Sequence, residues 1–252
     1  SLYGNASGGV ISVITEDGPA RPTAALDVTA GSYGSLRAGV RLGGTEGRVN
    51  WTVEQSRFDT GGYRDHSAAR RDQLNAKVKI ALGSATSLTL LANTLRQPQT
   101  QDPLGLTRAQ FNANPRQVDP TAISFNTRKS IFQEQSGATL SHALEGGGQV
   151  QAMFYLGQRY VEQHLAIPLA VQAAATHSGG VVNLDRGYGG GALRWSAPLS
   201  LMGRPLRLSA GLEHDRMAER RLGFVNASGQ SGALKRDEDD TVYSTDAYAQ
   251  AD

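Results

Sequence analysis

Hydrophobic and polar residues alternate one by one along most of the chain. In the clearest stretch, Leu36, Ala38, Val40 and Leu42 are separated by arginine or glycine. The same alternation recurs in residues 49–53, 74–80, 150–156, 193–197, 206–212 and 247–251. A period of two is the side-chain repeat of a β-strand with one apolar and one polar face. The sequence therefore predicts an all-β protein with almost no helix.

The connections between the stretches alternate in length. We predict about ten antiparallel strands, beginning near Ala24, Leu36, Val49, Leu74, Leu88, Gln135, Gln149, Gly189, Leu206 and Tyr243. Tight turns are expected at residues 44–47, 83–86, 145–148 and 199–205, and long loops at 57–73, 97–132, 167–188 and 225–241. Only the first connection, near Ser32, is short where this scheme expects a loop. Such alternation is typical of an outer-membrane β-barrel, whose turns face the periplasm and whose loops face outside.

The longest predicted loop, residues 97–132, contains a signal for a helix. Thr107 and Gln110 have the spacing of a capping box, and Asn114-Pro115 would end the helix that they begin. We therefore expect a short surface helix in this loop.

The charged residues of the strands avoid the apolar face. Six basic residues follow this rule: Arg37, Arg41, Lys77, Lys79, Arg194 and Arg207. A Lys or Arg on the lipid face of a barrel costs about 2 to 4 kcal/mol at the bilayer midplane. Any amphipathic antiparallel sheet also keeps its charges on the wet side, so a soluble β-domain that binds carbohydrate or protein stays open as an alternative.

Composition and charge exclude several classes of function. The formal net charge is +2, and the basic residues are spread along the chain, so we expect no nucleic-acid partner. There is no cysteine, and the five histidines lack metal-ligand spacing, so we expect neither disulfides nor a metal site. Glu213-His214-Asp215 is interpreted as a strand emerging into a loop, because no nucleophile, base and acid can be assembled around it. We predict no enzyme activity and no cofactor.

The first residues carry the most specific motif, LYGNASGGVISVIT at positions 2–15. Gly4, Gly8 and Gly9 permit a tight turn, and the β-branched run at 10–15 predicts a buried strand. The motif lacks the Lys-Ser/Thr and the flanking helix of a phosphate-binding loop. It resembles the last segment of the plug in TonB-dependent outer-membrane receptors. The resemblance implies that residues 1–18 end a plug domain and that residues 19–252 are the N-terminal part of the barrel.

Several loop segments resemble one branch of that family, the receptors for pyrroloquinoline quinone, formerly described as iron-complex receptors. These segments are residues 62–67, 102–107, 126–129, 178–182 and 236–238. The resemblance implies the first half of a 22-stranded transmembrane barrel in the bacterial outer membrane, in contact with lipid. The missing flanking sequence is expected to hold a signal peptide, about twelve more strands and the N-terminal segment through which the TonB complex is engaged.

The expected function is energised uptake of a small anionic ligand, with pyrroloquinoline quinone as the first choice. The alternatives are a receptor for a ferric siderophore or another iron complex, and a passive porin-like barrel. The candidate ligand-binding residues lie in or beside two predicted loops: Tyr63, Arg64, His66, Arg70, Arg71, Asn126, Arg128 and Lys129. Basic and aromatic side chains suit an anionic, planar ligand. For residues 63–71 a solvated loop is the favoured interpretation of any single residue but not of the cluster, whereas Asn126, Arg128 and Lys129 are equally compatible with interface anchors. His164, His177 and Arg186 are weaker candidates.

Overall fold

The computed structural model describes residues 14–251. Ten strands form one antiparallel sheet in sequence order, each hydrogen-bonded to the next. They are β1 (Thr23–Gly31), β2 (Ser35–Glu46), β3 (Val49–Thr60), β4 (Ala69–Ala81), β5 (Thr86–Gln101), β6 (Arg128–Ala143), β7 (Gln149–His164), β8 (Val181–Leu201), β9 (Arg204–Ala227) and β10 (Gln230–Ala251). Three short α-helices lie in the loops: α1 (Arg108–Ala113), α2 (Pro120–Ser124) and α3 (Leu169–Gln172), and a 3-10 turn (Glu145–Gly147) joins β6 to β7. Among the described residues, no helix is long and apolar enough to cross a membrane. The all-β fold class with ten antiparallel strands is confirmed.

The predicted strands are present, but four begin earlier than expected. Strands β4, β6, β8 and β10 start five to thirteen residues before their predicted positions. The predicted long loop at residues 225–241 is wrong, because β9 and β10 are joined by a two-residue turn at Ser228 and Gly229. Both residues of this turn have positive φ, 54° and 89°, which suits the twist of a tight hairpin. Glu213-His214-Asp215 accordingly lies inside β9 and does not mark the end of a strand.

The helix predicted from the capping box is confirmed. The Thr107 hydroxyl accepts a hydrogen bond from the Gln110 backbone N–H, and the Gln110 side chain accepts one from the Thr107 backbone N–H. The helix ends at the cap residue Asn114, before Pro115. A second helix, α2, begins with Pro120 after the cap residue Asp119.

All the predicted apolar stretches lie on one face of the sheet. Directly paired residues on antiparallel strands share a face. Leu42 pairs with Val53, Val53 with Ala76 and Ala76 with Ala92, and we call the face that these residues share the outer face. Large apolar side chains on this face remain uncovered, as Phe154 and Leu212 show with 56% and 58% of their surface exposed. Because soluble proteins rarely leave so wide an apolar surface open, the outer face is built to contact an apolar phase.

The opposite face, which we call the inner wall, is concave and polar. One open cavity is lined by neighbouring strands from Thr23 on β1 to Met153 on β7. Residues 14–19 lie against this wall and are held by polar contacts. Asp17 forms ion pairs with Lys77 at 2.6 Å and Lys79 at 3.0 Å. The chain that precedes β1 therefore enters from the inside of the curved sheet.

Gly18 lies in direct contact with the inner wall. The Gly18 N–H donates to the Asn50 side-chain oxygen at 2.8 Å, and the Asn50 amide donates back to the Gly18 carbonyl at 2.7 Å. Gly18 also approaches the Trp51 carbonyl too closely for any Cβ to fit without a shift. Only glycine therefore fits here with the backbone as it stands.

The apolar band crosses the sheet diagonally. On β1 the outward apolar positions are every second residue of 24–30, and on β9 they are every second residue of 206–212. The pairing registers show that the centre of the band moves about ten residues along the strands between β1 and β9, which are eight strand spacings apart. This is a shift of about 33 Å along the strand direction for about 38 Å perpendicular to it. If the band marks a flat layer, the strands are tilted by about 40°, within the range of outer-membrane barrels.

Candidate ligand-binding site

Five connections gather at the end of the sheet opposite to the tight turns that follow β2, β4, β6 and β8. They are residues 32–34, 61–68, 102–127, 165–180 and 228–229. These connections and the adjoining strand ends also contain the fully buried residues Ala122, Thr127, Gln172, Val181 and Asn226. The loops therefore have a small core of their own, and they pack as one layer over the sheet end.

An aromatic and cationic cluster joins three of these connections. The rings of Tyr33 and Tyr63 meet edge to face with centroids 5.3 Å apart. The Arg116 guanidinium lies 5.4 Å and 5.9 Å from the two ring centroids and donates to the Tyr63 carbonyl. Because both tyrosines are nearly half exposed, this cluster presents aromatic surface and a positive charge to solvent.

Arg64 and His66 connect the 61–68 loop to the 102–127 loop. The Arg64 guanidinium donates to three backbone carbonyls, Gln117 at 2.8 Å, Pro103 at 3.0 Å and Leu104. The His66 ring nitrogen Nε2 lies 2.8 Å from the Thr127 carbonyl. Most of the Arg64 donors are thus occupied within the loops, which gives this side chain a role in fixing loop shape.

The Asp119 cap stabilises the same loop. Its carboxylate accepts hydrogen bonds from the Thr121 N–H at 2.9 Å and the Thr121 hydroxyl at 2.5 Å, and a Gln110 amide lies at 3.4 Å. The Thr121 hydroxyl in particular holds the pKa of the Asp119 carboxyl below its ordinary value. A negative charge at the start of α2 is therefore kept at neutral pH, where it favours the helix N-terminus.

Asn226 is the hub of a second loop cluster. Its side-chain amide donates to the carbonyls of Phe125 at 2.9 Å and Leu165 at 3.1 Å, and its side-chain oxygen accepts from the Gly229 N–H at 2.7 Å. The Asn226 backbone N–H donates to the buried Gln172 side chain at 2.7 Å. One fully buried residue therefore ties together three of the five connections.

Asn126, Arg128 and Lys129 lie where the long loop enters β6. The Arg128 guanidinium donates to the Asn126 carbonyl at 3.0 Å and the Gly229 carbonyl at 3.2 Å, and contacts the His164 ring nitrogen at 3.0 Å. Asn126 has a positive φ of 44°, which turns the chain into the strand. Lys129 has the inner-wall parity, one position beyond Arg128, which has the outer-face parity.

Arg70 and Arg71 are neighbours on β4 that point to opposite faces. The Arg70 side chain is on the outer face, 3.5 Å from Asp72 and 3.8 Å from Asp59. The Arg71 side chain is on the inner wall, with its guanidinium 5.9 Å from the Phe58 ring centroid. The structure thus brings Arg71 and Lys129 to the inner wall, and it places Tyr63, Arg64, His66 and Asn126 in the loop layer.

Arg159 is an inner-wall cation that the sequence analysis missed, and Arg186, a minor candidate there, lies directly opposite it. Arg159 on β7 and Arg186 on β8 are cross-strand partners below the loop layer. Arg159 donates to the Gln133 side-chain oxygen at 3.0 Å, whereas Arg186 forms an ion pair with Glu219. The signal was present in the alternation, because Arg159 shares the parity of Tyr155 and not that of Leu156. Within residues 14–251, no three His, Asp or Glu residues are arranged to hold a metal ion.

The comparisons with known proteins concern the fold. The chain is similar to the ferric citrate transporter FecA in its unliganded form, with a TM-score of 0.75 and 16% identity, over 94% of this chain and 36% of FecA. It is similar to the ferric-catecholate import receptor Fiu from E. coli K12, with a TM-score of 0.70 and 12% identity, over 93% of this chain and 42% of Fiu. It is also similar to the ferripyoverdine receptor of the outer membrane of Pseudomonas aeruginosa, with a TM-score of 0.69 and 15% identity, over 94% of this chain and 35% of that receptor.

The fold is that of a TonB-dependent receptor barrel. The chain spans between about a third and two fifths of the length of these proteins. No protein-family model matches the chain. At identities of 12% to 16%, the similarity to these structures shows the fold alone.

Proposed function

We propose that the chain is part of a TonB-dependent receptor of the bacterial outer membrane that imports a small anionic ligand. The observation that carries this proposal is the asymmetry of the sheet: a tilted apolar band on the outer face, and an inner wall that holds residues 14–19 and several cations. In this proposal residues 19–252 form the first half of a 22-stranded barrel. Residues 1–18 end its plug, and most of that motif lies outside the described residues.

The attachment of residues 14–19 to the inner wall favours a plugged receptor over a passive porin. A porin needs an open lumen, whereas here the chain before β1 is already fastened inside the curved sheet. The TonB complex would act through an N-terminal segment that precedes the motif. The expected absence of enzyme activity is compatible with the similar proteins, which are transporters and receptors.

Seven of the eight candidate residues divide into two roles in this proposal. Arg71 and Lys129 contact the ligand from the inner wall, and Tyr63 contacts it from the loop layer. Four residues fix the shape of the loops around it: Arg64, His66, Asn126 and Arg128. Arg70 has no ligand contact, because its side chain lies on the outer face beside two carboxylates.

The ligand proposed first is pyrroloquinoline quinone, a planar molecule with three carboxylates. Aromatic side chains at the loops and cations on the inner wall suit these two features. A ferric siderophore or another iron complex is the second candidate, and it is supported by the ferric ligands in the names of the similar proteins. Both candidates carry anionic oxygen atoms.

Uptake by cells that carry the full-length receptor tests the function. We expect radiolabelled quinone or ferric citrate to accumulate in cells with an intact TonB complex and to stay outside in cells that lack TonB. A receptor gene deletion is the control for background entry. Accumulation that is independent of TonB would contradict the proposal and indicate a porin.

A pair of adjacent arginines tests the site. Calorimetry on the full-length receptor should show about ten- to a hundredfold weaker binding for Arg71→Ala, because a hydrogen bond to a charged group is worth about 1.5 to 3 kcal/mol. Arg70→Ala is the matched control, since it removes the same side chain one residue away on the other face. Equal loss of affinity in the two variants, or no loss in either, would contradict the assignment.

A further inference from the structure

On β6, β7 and β8, the positively charged side chains lie mostly on the inner wall and the negatively charged side chains lie on the outer face. Every carboxylate of these strands is on the outer face, namely Glu134, Glu162 and Asp185. The cations Lys129, Arg159, Arg186 and Arg194 are on the inner wall, and Arg128 is the exception. The inner wall of these three strands therefore carries positive charge without any carboxylate of its own.

Two of these cations face each other as direct partners. Arg159 on β7 and Arg186 on β8 occupy paired positions on the same face, an arrangement that is unfavourable for like charges. Glu219, with only 10% of its side chain exposed, neutralises Arg186 from the next strand. Arg159 contacts the neutral Gln133 side chain instead. In the part of the chain that the structure describes, no carboxylate lies within ion-pair distance of Arg159.

The surroundings of Arg159 are shaped for an anion attached to an apolar body. The next inward positions toward the loops form a row of aliphatic side chains, Ile131, Val161 and Leu184, on three adjacent strands. On the other side, the Tyr188 hydroxyl donates to Gln135 at 3.0 Å, which holds the ring beside Gly157. An apolar shelf and an aromatic ring thus flank the cation.

The height of Arg159 places it in the mouth of the barrel. The outward apolar positions of β7 are every second residue of 150–156, so Arg159 lies three residues beyond the band, about 10 Å further along the strand. It is above the lipid-facing layer and below the loop layer. A group that binds here is enclosed by the wall and is out of contact with the membrane.

We propose that Arg159, supported by Arg186, binds a carboxylate at the inner wall. The carboxylate comes either from the imported ligand or from an acidic side chain of the plug. Arginine is suited to this task because its planar fork can donate two parallel hydrogen bonds to one carboxylate. The site rests on the proposed receptor function only in requiring a closed barrel around a plug.

The test uses the full-length receptor with R159Q, and R194Q as the matched control. Arg194 is also an inner-wall arginine, but it lies toward the tight turns. Binding of pyrroloquinoline quinone and of ferric citrate is measured by calorimetry. If the ligand supplies the carboxylate, R159Q should weaken binding of one probe by about ten- to a hundredfold, while R194Q changes it less than about threefold.

Hydrogen exchange of the plug tests whether the plug supplies the carboxylate. If the plug supplies the carboxylate, exchange of its amides should rise by about tenfold or more in R159Q and stay unchanged in R194Q. R159K keeps the charge without the fork and should give a smaller loss in whichever measurement responds, and it replaces R159Q if that variant does not assemble. Unchanged ligand binding and unchanged plug exchange overturn the proposal. If wild type binds neither probe, the plug measurement alone decides.

The result for the Arg159 site can be distinguished from the result for the proposed receptor function. TonB-dependent uptake by the wild-type receptor is measured independently of residue 159. If that uptake is present and both R159Q measurements are unchanged, the carboxylate site is wrong and the receptor function stands.

Discussion

Asn226→Ala should loosen the loop layer and leave the barrel strands unchanged. The substitution removes three side-chain hydrogen bonds, to the Phe125 carbonyl, the Leu165 carbonyl and the Gly229 N–H. A typical buried hydrogen bond contributes about 0.5 to 1.5 kcal/mol, so the three together contribute about 3 kcal/mol to keeping the loops closed. The partners left behind lie in a cluster where Asn226 is fully buried, which limits replacement by water.

Hydrogen exchange of loop amides measures this loss directly. A local opening that becomes about 3 kcal/mol easier raises exchange about a hundredfold. The informative amides are those that close the loops, Thr127 to the Ala122 carbonyl, Leu165 to the Gly180 carbonyl and Gly180 to the Phe224 carbonyl. Amides in the middle of the strands should keep their protection.

Asn183→Ala is the matched control. Asn183 is also a strand asparagine, but its side chain donates a single hydrogen bond, to the Tyr160 hydroxyl at 2.6 Å. Its loss should cost about 1 kcal/mol and raise local exchange only about fivefold. Loop protection that is the same in Asn226→Ala, Asn183→Ala and wild type would refute the claim that Asn226 holds the loops together.

Three further predictions concern the membrane, pH and the isolated chain. Leu208→Arg should impair heat-modifiable assembly of the full-length receptor more than Arg207→Leu does, because residue 208 is on the outer face, which the proposal places in lipid; equal assembly would contradict the assignment of faces. The hydrogen bond from Lys77 holds the pKa of Asp17 below its ordinary value. The stabilising contact of the Asp17 carboxylate is therefore complete above about pH 4 and is lost as the pH falls further. Protease access to residues 14–19 should rise below that pH in wild type and should be raised at every pH in Asp17→Asn. Residues 1–252 alone should give no monomeric heat-modifiable barrel, because β1 and β10 each have one neighbour in the described sheet; a folded monomer would contradict the half-barrel proposal.

The sequence predicted strand identity and strand faces best within the apolar band of the outer face. Leu208 and Phe154 could be assigned to the outer face because apolar and polar residues alternate strictly there, as a bilayer would require of every strand in the proposed barrel. Beyond the apolar band polar and apolar residues are mixed on both faces, and the strict alternation disappears. The sequence from Gln230 to Asp240 therefore resembled a loop, although ladder hydrogen bonds and ion pairs such as Arg220 with Asp237 keep it in β10.

The candidate site was less predictable, because loop residues were judged by type and not by their contacts. Arg64 looked like a free cation in sequence, yet three carbonyls from a loop about forty to fifty residues away occupy it. Asn226 gave no signal at all, since its partners come from three separate connections. Contacts of such sequence separation depend on how the loops pack, which strand alternation does not encode.

The length of the last hairpin has a consequence for how such a receptor can change over evolution. A tilted strand needs about 10 residues to cross the bilayer, whereas β10 has 22 and β9 has 24. In the proposed barrel more than half of each strand therefore stands in water, and substitutions there carry no cost of insertion into lipid. New ligand preferences can accumulate in paired, rigid strand segments as well as in loops, provided that each exchange preserves the ladder between the two strands.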